Sequence, residues 1–408
     1  MTINKKIQTR FARLTCCCAL MLSIMTVMAQ QLVDIPEITG LRLDTTRLEI
    51  PGNSEAFDSL LMHMQQVSQG GKLHVVHIGG SHVQAGMFSN RLRQHFCSLS
   101  PETGTHRGLL FPWRALKTNA PADYTLSHTG VWERSRNIEA SPSVPLGMSG
   151  AAAITTDTTA TLQLHMGTNR PFLRLRLLCE ADSLMPYCVT SRGDTIEAQR
   201  DGSDLLFALA EKDSVSTIAF RGNGRFVLRG IMPEDDDQGV IYTECGVNGA
   251  SVPSWLRCSL LSEELARTCP PDLVIFGIGI NDANVPVGKF DAETFKNGYR
   301  RLMDEIRRTN PSAVFLFITN NDCWLRVGRQ RRVANHNTQK VEQAMMDLAR
   351  ECNGVVWDQY RIMGGFGSSN RWVTAHLMNR DHIHFLRPGY ELLADLLWNA
   401  IVQRTTQI

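Results

Sequence analysis

The chain carries no excess of charge of either sign. Its 408 residues include 42 Lys and Arg against 40 Asp and Glu, which gives a formal net charge of +2 at pH 7. A protein that binds nucleic acid through phosphate contacts needs a basic surface, and this composition supplies none. The composition therefore predicts a globular protein without a nucleic-acid partner.

Long apolar runs are also lacking. The most apolar stretch, residues 14–28, is too short for a comfortable membrane span. Four basic residues precede it, and the small-residue pattern VMA closes it before Gln30. This order is typical of a secretory signal peptide at residues 1–29, so we predict cleavage after Ala29. We expect a periplasmic or secreted protein with a formal charge of about −2 and no stable membrane anchor.

Cysteine pairs with the CxxC spacing of a zinc site are absent from the sequence. We therefore assign no metal, and the chemistry considered below requires no cofactor. Eight cysteines follow residue 29, and export permits disulfides, although eight cysteines allow 105 different pairings. Cys179 and Cys188 flank a predicted hairpin, and Cys258 and Cys269 flank a predicted helix, so these are two candidate local pairs.

The stretch 74–96 is the most informative part of the chain. Apolar and β-branched residues at 73–78 predict a buried strand, and Gly79-Gly80 predicts a sharp turn. Apolar residues then recur at every fourth position, as on one face of a helix. Ser81 therefore lies where a strand turns into a helix, beside N–H groups that favour negative charge. Taken alone, Ser81 could equally be a helix cap.

Helical periodicity disappears between residues 120 and 235. Short alternating apolar runs at 161–165, 172–178 and 215–220 replace it, separated by Gly, Asp, Ser and Pro. This pattern is typical of an antiparallel sandwich. We therefore predict an inserted β-sandwich at 120–235.

Strands alternate with helices on both sides of this insertion. The predicted strands of the second part lie at 240–244, 273–277, 314–318 and 355–357. Such alternation implies an α/β fold with a parallel sheet that is covered on both faces. We predict that residues 30–119 form the first part of this domain and residues 236–408 the second.

Four short motifs fall where the predicted parallel sheet would place a site. They are GGSH with Ser81, GVNGAS with Gly249, GIND with Asn281, and DHIH with Asp381 and His384. The carboxyl ends of parallel strands meet at one edge, and open α/β sheets bind their ligands there. Alone, GIND could be an ordinary turn, and DHIH could be a metal-binding pair or surface polar residues.

Together, the four motifs supply what ester hydrolysis needs. A serine hydroxyl must lose its proton to a base that a carboxylate orients, and His384 with Asp381 can do this for Ser81. The developing oxyanion needs several aligned donors. The backbone N–H groups of Ser81 and Gly249 and the side-chain amide of Asn281 could provide three.

These motifs resemble those of the SGNH (GDSL-like) hydrolase superfamily. Ser81 matches the serine of its first block, Gly249 the glycine of the second, Asn281 the asparagine of the third, and Asp381 with His384 the DxxH of the last. The resemblance implies a flavodoxin-like parallel sheet. The β-rich insertion between the first two blocks resembles that of exported carbohydrate and peptidoglycan O-acetylesterases, in which a carbohydrate-binding-like sandwich fills this gap.

One position departs from the family pattern. Members usually carry an aspartate immediately before the serine, and this chain has Gly80 there. The aspartate is not the triad acid, which the resemblance places at Asp381. Glycine offers no side chain to brace the nucleophile loop, so we expect a slow enzyme.

The resemblance implies an exported serine esterase that removes O-acyl groups, above all O-acetyl groups, from a glycan or peptidoglycan. Two alternatives remain open from the sequence. An O-acetyltransferase would use the same triad and pass the acyl group to a sugar hydroxyl. A non-catalytic glycan-binding protein on a decayed hydrolase scaffold would account for Gly80, but not for the other five motif residues.

Overall fold

A parallel sheet lies at the centre of the computed structural model, which describes residues 32–408 except positions 45, 101–104, 168 and 328–330. The described residues form one compact unit from Leu32 onward. The predicted signal peptide, residues 1–29, lies outside the described residues. None of the helices in the described part of the chain is both long and apolar enough to cross a membrane.

The chain contributes the following strands to four sheets. In order they are β1 (Leu48–Glu49), β2 (Lys72–Gly79), β3 (Thr105–Arg107), β4 (Thr125–Thr129), β5 (Glu133–Arg136), β6 (Ala151–Thr155), β7 (Thr161–His165), β8 (Phe172–Ala181), β9 (Met185–Thr190), β10 (Thr195–Glu197), β11 (Gln199–Asp201), β12 (Asp204–Asp213), β13 (Val215–Arg221), β14 (Phe226–Glu234), β15 (Gly239–Gly246), β16 (Leu273–Gly277), β17 (Val314–Ile318), β18 (Trp324–Val327), β19 (Arg331–Ala334) and β20 (Val355–Trp357).

The helices are concentrated outside the insertion. They are α1 (Glu55–Gln66), α2 (Ser81–Gln84), α3 (Met87–Cys97), α4 (Val252–Trp255), α5 (Leu261–Thr268), α6 (Ala292–Arg307), α7 (Asn337–Cys352), α8 (Gln359–Ile362), α9 (Ser369–Thr374) and α10 (Arg387–Thr405). Short 3₁₀ turns cover Val67–Gln69 and Trp113–Leu116.

The central sheet has the strand order β1-β20-β17-β16-β2-β15-β3, and all neighbours are parallel except β1 with β20. Without the two edge strands, this is the flavodoxin-type order. Strand β2 is buried on both faces, because Leu73 and Val75 join one hydrophobic cluster while Val76 and Ile78 join the other. The predicted α/β fold class is confirmed.

Helices cover both faces of the sheet. On one face, α1, α3 and α10 contribute Phe57, Leu92 and Leu393 to the core. On the other face, α6 and α7 contribute Tyr299 and Val341. Helices α1, α3, α6 and α7 each bury one apolar stripe, as the periodicity of the sequence predicts, whereas α10 buries most of its residues.

Two antiparallel sheets lie between β3 and β15 in the chain. One has the order β10-β9-β13-β7-β4 and the other β11-β12-β8-β14-β6-β5. Their strands run from Thr125 to Glu234, inside the bounds predicted for the insertion. The two sheets share one hydrophobic cluster, to which Ile218 and Phe207 belong, and this cluster continues to Trp255 of the α/β part. That residues 120–235 fold as a separate domain stays a prediction.

All eight cysteines after residue 29 are free thiols. Cys179 lies on β8 and Cys188 on β9, and these strands belong to different sheets. Cys258 and Cys269 lie at opposite ends of α5, whose eight residues alone span about 12 Å. Both separations explain why neither candidate local pair forms, since a disulfide needs its Cα atoms within about 7 Å.

A buried cluster of charges joins the central sheet to the entrance of the insertion. Arg107 on β3 is 2% exposed and donates to Asp123 at 2.7 Å and to the carboxylate of Glu244 on β15. Asp123 also accepts from Arg93 of α3 at 2.9 Å. Burying these charges is costly, and only their mutual pairing offsets the cost.

Arg107→Met should therefore lower the free energy of unfolding by about 3–5 kcal/mol, because Glu244 is left as an unpaired buried carboxylate. Denaturant titration of the purified protein measures this. Arg47→Met is the matched control, since it removes an arginine that is 76% exposed and pairs with Glu49. A loss of similar size in both variants would contradict the assigned role of the buried cluster.

Candidate active site

Ser81 lies at the carboxyl edge of the central sheet, at the first position of α2. The preceding strand β2 ends at Gly79. A Cβ added at Gly79 would lie 2.2 Å from Cγ2 of Val83, so only glycine lets α2 pack directly on the end of the strand. The strand-turn-helix predicted for this stretch is present, and it presents Ser81 beside the amino end of the helix.

The structure brings Ser81, His384 and Asp381 together in one line of hydrogen bonds. Ser81 Oγ lies 2.9 Å from Nε2 of His384, and Nδ1 of His384 lies 2.7 Å from Oδ2 of Asp381. The side chain of His384 is 39% exposed and that of Asp381 is 29% exposed. A substrate can therefore reach the serine and the histidine from solvent.

The loop that carries DHIH is shaped by Asp381 itself. Its Oδ1 accepts hydrogen bonds from the backbone N–H groups of Ile383 and His384, at 2.9 and 3.0 Å. Burial alone would raise the pKa of Asp381, but the hydrogen bonds from His384 and from these N–H groups outweigh it and hold the pKa well below its usual range. Asp381 is therefore ionised and oriented toward His384.

His382 occupies the left-handed backbone region, with φ of +57°. Few residues other than glycine adopt this conformation, although histidine does so more readily than most. The tight turn lets Asp381 and His384 face one another across three residues. The ring of His382 stacks on Trp324 with centroids 4.1 Å apart.

The glycine and asparagine motifs converge on the same turn. Gly246 pairs with Gly79 in the sheet, so the GVNGAS loop begins level with the end of β2. Gly249 has φ of +85°, a conformation that suits glycine. A Cβ added at Gly249 would have only Ile138 within 4 Å, at 3.9 Å. Asn281 Nδ2 donates to the carbonyl oxygen of Ala250 at 2.9 Å.

Gly80 lies directly against the asparagine. A Cβ added at Gly80 would lie 3.2 Å from Nδ2 of Asn281 and 3.4 Å from the carbonyl oxygen of Ala250. The structure therefore places Gly80, Asn281 and the loop that carries Gly249 around the amino end of α2. The hydrogen bond to Ala250 orients the amide of Asn281 even though residue 80 has no side chain.

Sequence reasoning missed a polar network that holds the GVNGAS loop. Gln84 Oε1 accepts from the backbone N–H of Asn248 at 2.6 Å, and Gln84 Nε2 donates to the carbonyl oxygen of Asn119 at 2.8 Å. Asn248 Nδ2 in turn donates to Thr118 Oγ1 at 3.1 Å. Gln84 is one helical turn after Ser81, so the loop is tied to the helix that carries the serine. No local signal in the sequence marks these partners.

His82 supports the site from behind. Its Nδ1 lies 2.8 Å from the hydroxyl of Tyr390 on α10, and its ring centroid lies 5.4 Å from that of His384. Burial, helped by the charge of His384, lowers the pKa of His82 to about 3. His82 is therefore neutral and adds no positive charge beside His384.

A small cavity of about 40 Å³ lies on the far side of His82, and its lining includes Asn320 and Tyr390. His82 Nε2 and Asn320 Nδ2 have no protein partner. A water molecule needs about 10–15 Å³ and two or more polar partners, so this cavity can hold water that satisfies both nitrogens. Within the described part of the chain, no cluster of His, Cys, Asp and Glu has the arrangement of a metal site.

Chemically, the site can deprotonate a serine and stabilise negative charge next to it. The imidazole of His384 reaches Ser81 with one nitrogen while an ionised carboxylate holds the other. The amino end of α2, the loop that carries Gly249 and the amide of Asn281 lie together beside Ser81, and N–H donors in such an arrangement can stabilise an oxyanion. This is the arrangement of a serine hydrolase.

Comparison with solved structures supports the fold. A structure titled "Peptidoglycan O-acetylesterase in action, 5 min" superposes with a TM-score of 0.71 and 20% identity, over 88% of this chain and 99% of that one. A family two carbohydrate esterase from Cellvibrio japonicus matches with a TM-score of 0.29 and 11% identity, over 69% of this chain and 99% of that one. An acetyl xylan esterase matches with a TM-score of 0.30 and 17% identity, over 40% of this chain and 81% of that one. The last two scores are too low to support an argument.

Comparison with sequences relates part of the chain to a known family. Among curated proteins, no sequence matches this chain. Residues 222–392 match the model of the GDSL-like lipase/acylhydrolase family, a span that contains Gly249, Asn281, Asp381 and His384 but begins after Ser81. Ser81 precedes the matched span, and the fold of this chain places it against His384. Residues 222–392 of this chain are thus similar to the GDSL-like lipase/acylhydrolase family, and the described chain has the fold of the peptidoglycan O-acetylesterase structure.

Proposed function

We propose that this protein is an exported esterase that removes O-acyl groups, in the first place O-acetyl groups, from a glycan or peptidoglycan. The observation that carries the proposal is the hydrogen-bonded line from Ser81 through His384 to Asp381, open to solvent at the carboxyl edge of the sheet. The charged and apolar segments before Gln30 support export.

The reaction proceeds in two steps through an acyl-enzyme. Ser81 Oγ attacks the ester carbonyl while His384 Nε2 accepts its proton, and the ionised Asp381 stabilises the imidazolium that results. The N–H groups of Ser81 and Gly249 and the amide of Asn281 stabilise the oxyanion. The imidazolium of His384 then gives its proton to the departing sugar oxygen, which leaves as a hydroxyl, and a water molecule that His384 deprotonates releases the acyl group from Ser81.

Two features support a glycan as the substrate. The likeness to the peptidoglycan O-acetylesterase extends over 88% of this chain, so it includes the insertion as well as the α/β part. The insertion also reaches the site, because Ile138 lies 3.9 Å from the position of a Cβ at Gly249. A polymer bound at the triad would therefore extend along the inserted sandwich.

The purified protein should release acetate from O-acetylated peptidoglycan, measured by chromatography of the soluble products, and Ser81→Ala should release none above background. A second incubation with an excess of sugar acceptor tests acyl transfer. If the incubation yields acetylated acceptor instead of free acetate, the protein is an O-acetyltransferase and not an esterase. No turnover of any acetylated glycan, with a folded protein, would contradict the proposal.

Ser81→Ala and His384→Ala should each lower turnover of 4-nitrophenyl acetate by about 10³-fold or more, and the double variant should lose no more than either single variant. The serine and the histidine act as one unit, so their losses do not multiply. Asp381→Asn should lose less, because it orients and stabilises the imidazolium. A fluorophosphonate probe should label Ser81 and leave Ser81→Ala unlabelled. Labelling of another serine would overturn the assignment.

His82→Phe should lower kcat about tenfold and leave KM within about twofold, because the phenyl ring keeps the volume behind His384 but removes the hydrogen bond between residue 82 and the hydroxyl of Tyr390. Tyr390→Phe removes the same hydrogen bond from the other side and is the matched variant. The double variant should resemble either single one. Independent, multiplying losses would show that the hydrogen bond is not what positions His384.

A further inference from the structure

Phe366 is an exposed aromatic residue in the loop between α8 and α9. It is 44% exposed, and among the large apolar side chains that the described residues leave exposed, it is the only aromatic one. Aromatic rings combine a large apolar area with a flat face, which suits them to contact a ligand that has an apolar face of its own. The mechanism proposed above does not use it.

The backbone holds Phe366 at the corner of a closed turn. The N–H of Ser368 donates to the carbonyl oxygen of Gly365 at 3.1 Å, and Gly367 has φ of +81°. Nothing lies within 4 Å of a Cβ added at Gly367, so glycine is there for its conformation and not for packing. Ser368 and Ser369, which follow, are fully buried, so the ring is presented by a fixed loop.

One face of the phenyl ring rests on His336. The two ring centroids are 4.5 Å apart and the planes differ by 29°. The chain on either side of His336 is anchored to the GIND loop, because the side chains of Asn335 and Asn337 both donate to the carbonyl oxygen of Ala283. Ala283 lies two residues after Asn281, so the segment that carries His336 is tied to the loop that carries Asn281.

The other side of the ring pair is anchored to the DHIH loop. Ser369 Oγ lies 3.3 Å from Nδ1 of His382, and the N–H of Ser369 donates to Asp322 at 2.9 Å. Phe366 is only three residues before Ser369, which limits their separation to about 11 Å. The two segments that carry the stacked pair are therefore tied to the two loops that carry Asn281 and His384.

We infer that the His336–Phe366 pair is a stacking platform for a sugar ring of the glycan whose acyl group is at Ser81, an inference that rests on the function proposed above. A pyranose presents C–H groups on its faces and hydroxyl groups at its edge. The exposed phenyl ring suits the former and the exposed imidazole of His336 can pair with the latter. A single exposed ring beside polar groups fits a sugar better than an acyl chain, which would need a continuous apolar channel.

The first experiment measures binding without turnover. Ser81→Ala protein is incubated with insoluble O-acetylated peptidoglycan, and the bound fraction is compared with that of the double variants Ser81→Ala/Phe366→Ala, Ser81→Ala/Phe366→Tyr and Ser81→Ala/Met62→Ala. Phe366→Ala should weaken binding about tenfold, and Phe366→Tyr should preserve it because the ring is kept. Met62 on α1 is 50% exposed and is the matched control for loss of an apolar surface side chain.

The second experiment compares substrates in the active protein. Phe366→Ala should lower kcat/KM for O-acetylated peptidoglycan at least fivefold more than it lowers kcat/KM for 4-nitrophenyl acetate, which carries no sugar. Equal losses on both substrates, or equal binding by the Ala and parent proteins, would overturn the platform. Acetate release from the glycan that does not depend on Phe366 would overturn this inference alone. Glycan binding through Phe366 without acetate release would overturn the esterase proposal alone.

Discussion

The hydrogen bond between Ser81 and His384 depends on the register of three parallel strands. Gly79 at the end of β2 pairs with Gly246 of β15 on one side and Gly277 of β16 on the other. The strands therefore end at one level, and the loops that follow begin side by side. A Cβ at Gly246 would lie 2.4 Å from the backbone nitrogen of Gln84, so this glycine too lets α2 approach the sheet. Ser81 projects from this edge of the sheet because the strands end in glycines, which have no side chains to cover it.

His384 has a charged neighbour, Asp381, and an uncharged neighbour, His82. Asp381 is an oriented anion whose pKa is held low, so it favours the protonated imidazole that forms during the reaction. His82 on the other side is kept neutral by burial, so it supports the ring without repelling that charge. Tyr390 completes this support from the last helix. Asp381 is thus the charged partner of His384, whereas His82 and Tyr390 support its ring without a charge.

The insertion is coupled to the α/β part by charge and by packing. Arg107 on the edge strand β3 pairs with Glu244 of β15 and with Asp123 just before β4, where the inserted sheets begin. The hydrophobic cluster of the two inserted sheets continues to Trp255, whose indole donates to the carbonyl oxygen of Gly79 at 3.2 Å. The position of Ile138 beside Gly249 is therefore set by the same core that fixes the nucleophile loop.

Local sequence patterns determined much of this protein. Apolar periodicity separated the α/β parts from the β-rich insertion, and the four motifs marked the edge where Ser81, Gly249, Asn281, Asp381 and His384 come together. These features could be predicted because strand and helix periodicity is a property of neighbouring residues. Only the tertiary structure determined which side chains contact one another when they are far apart in the sequence. Examples are Tyr390 with His82, Asn248 with Gln84, and Phe366 with His336. It also kept Cys179 and Cys188 apart, since adjacent strands entered different sheets. Such contacts arise from packing, which no short stretch of sequence specifies.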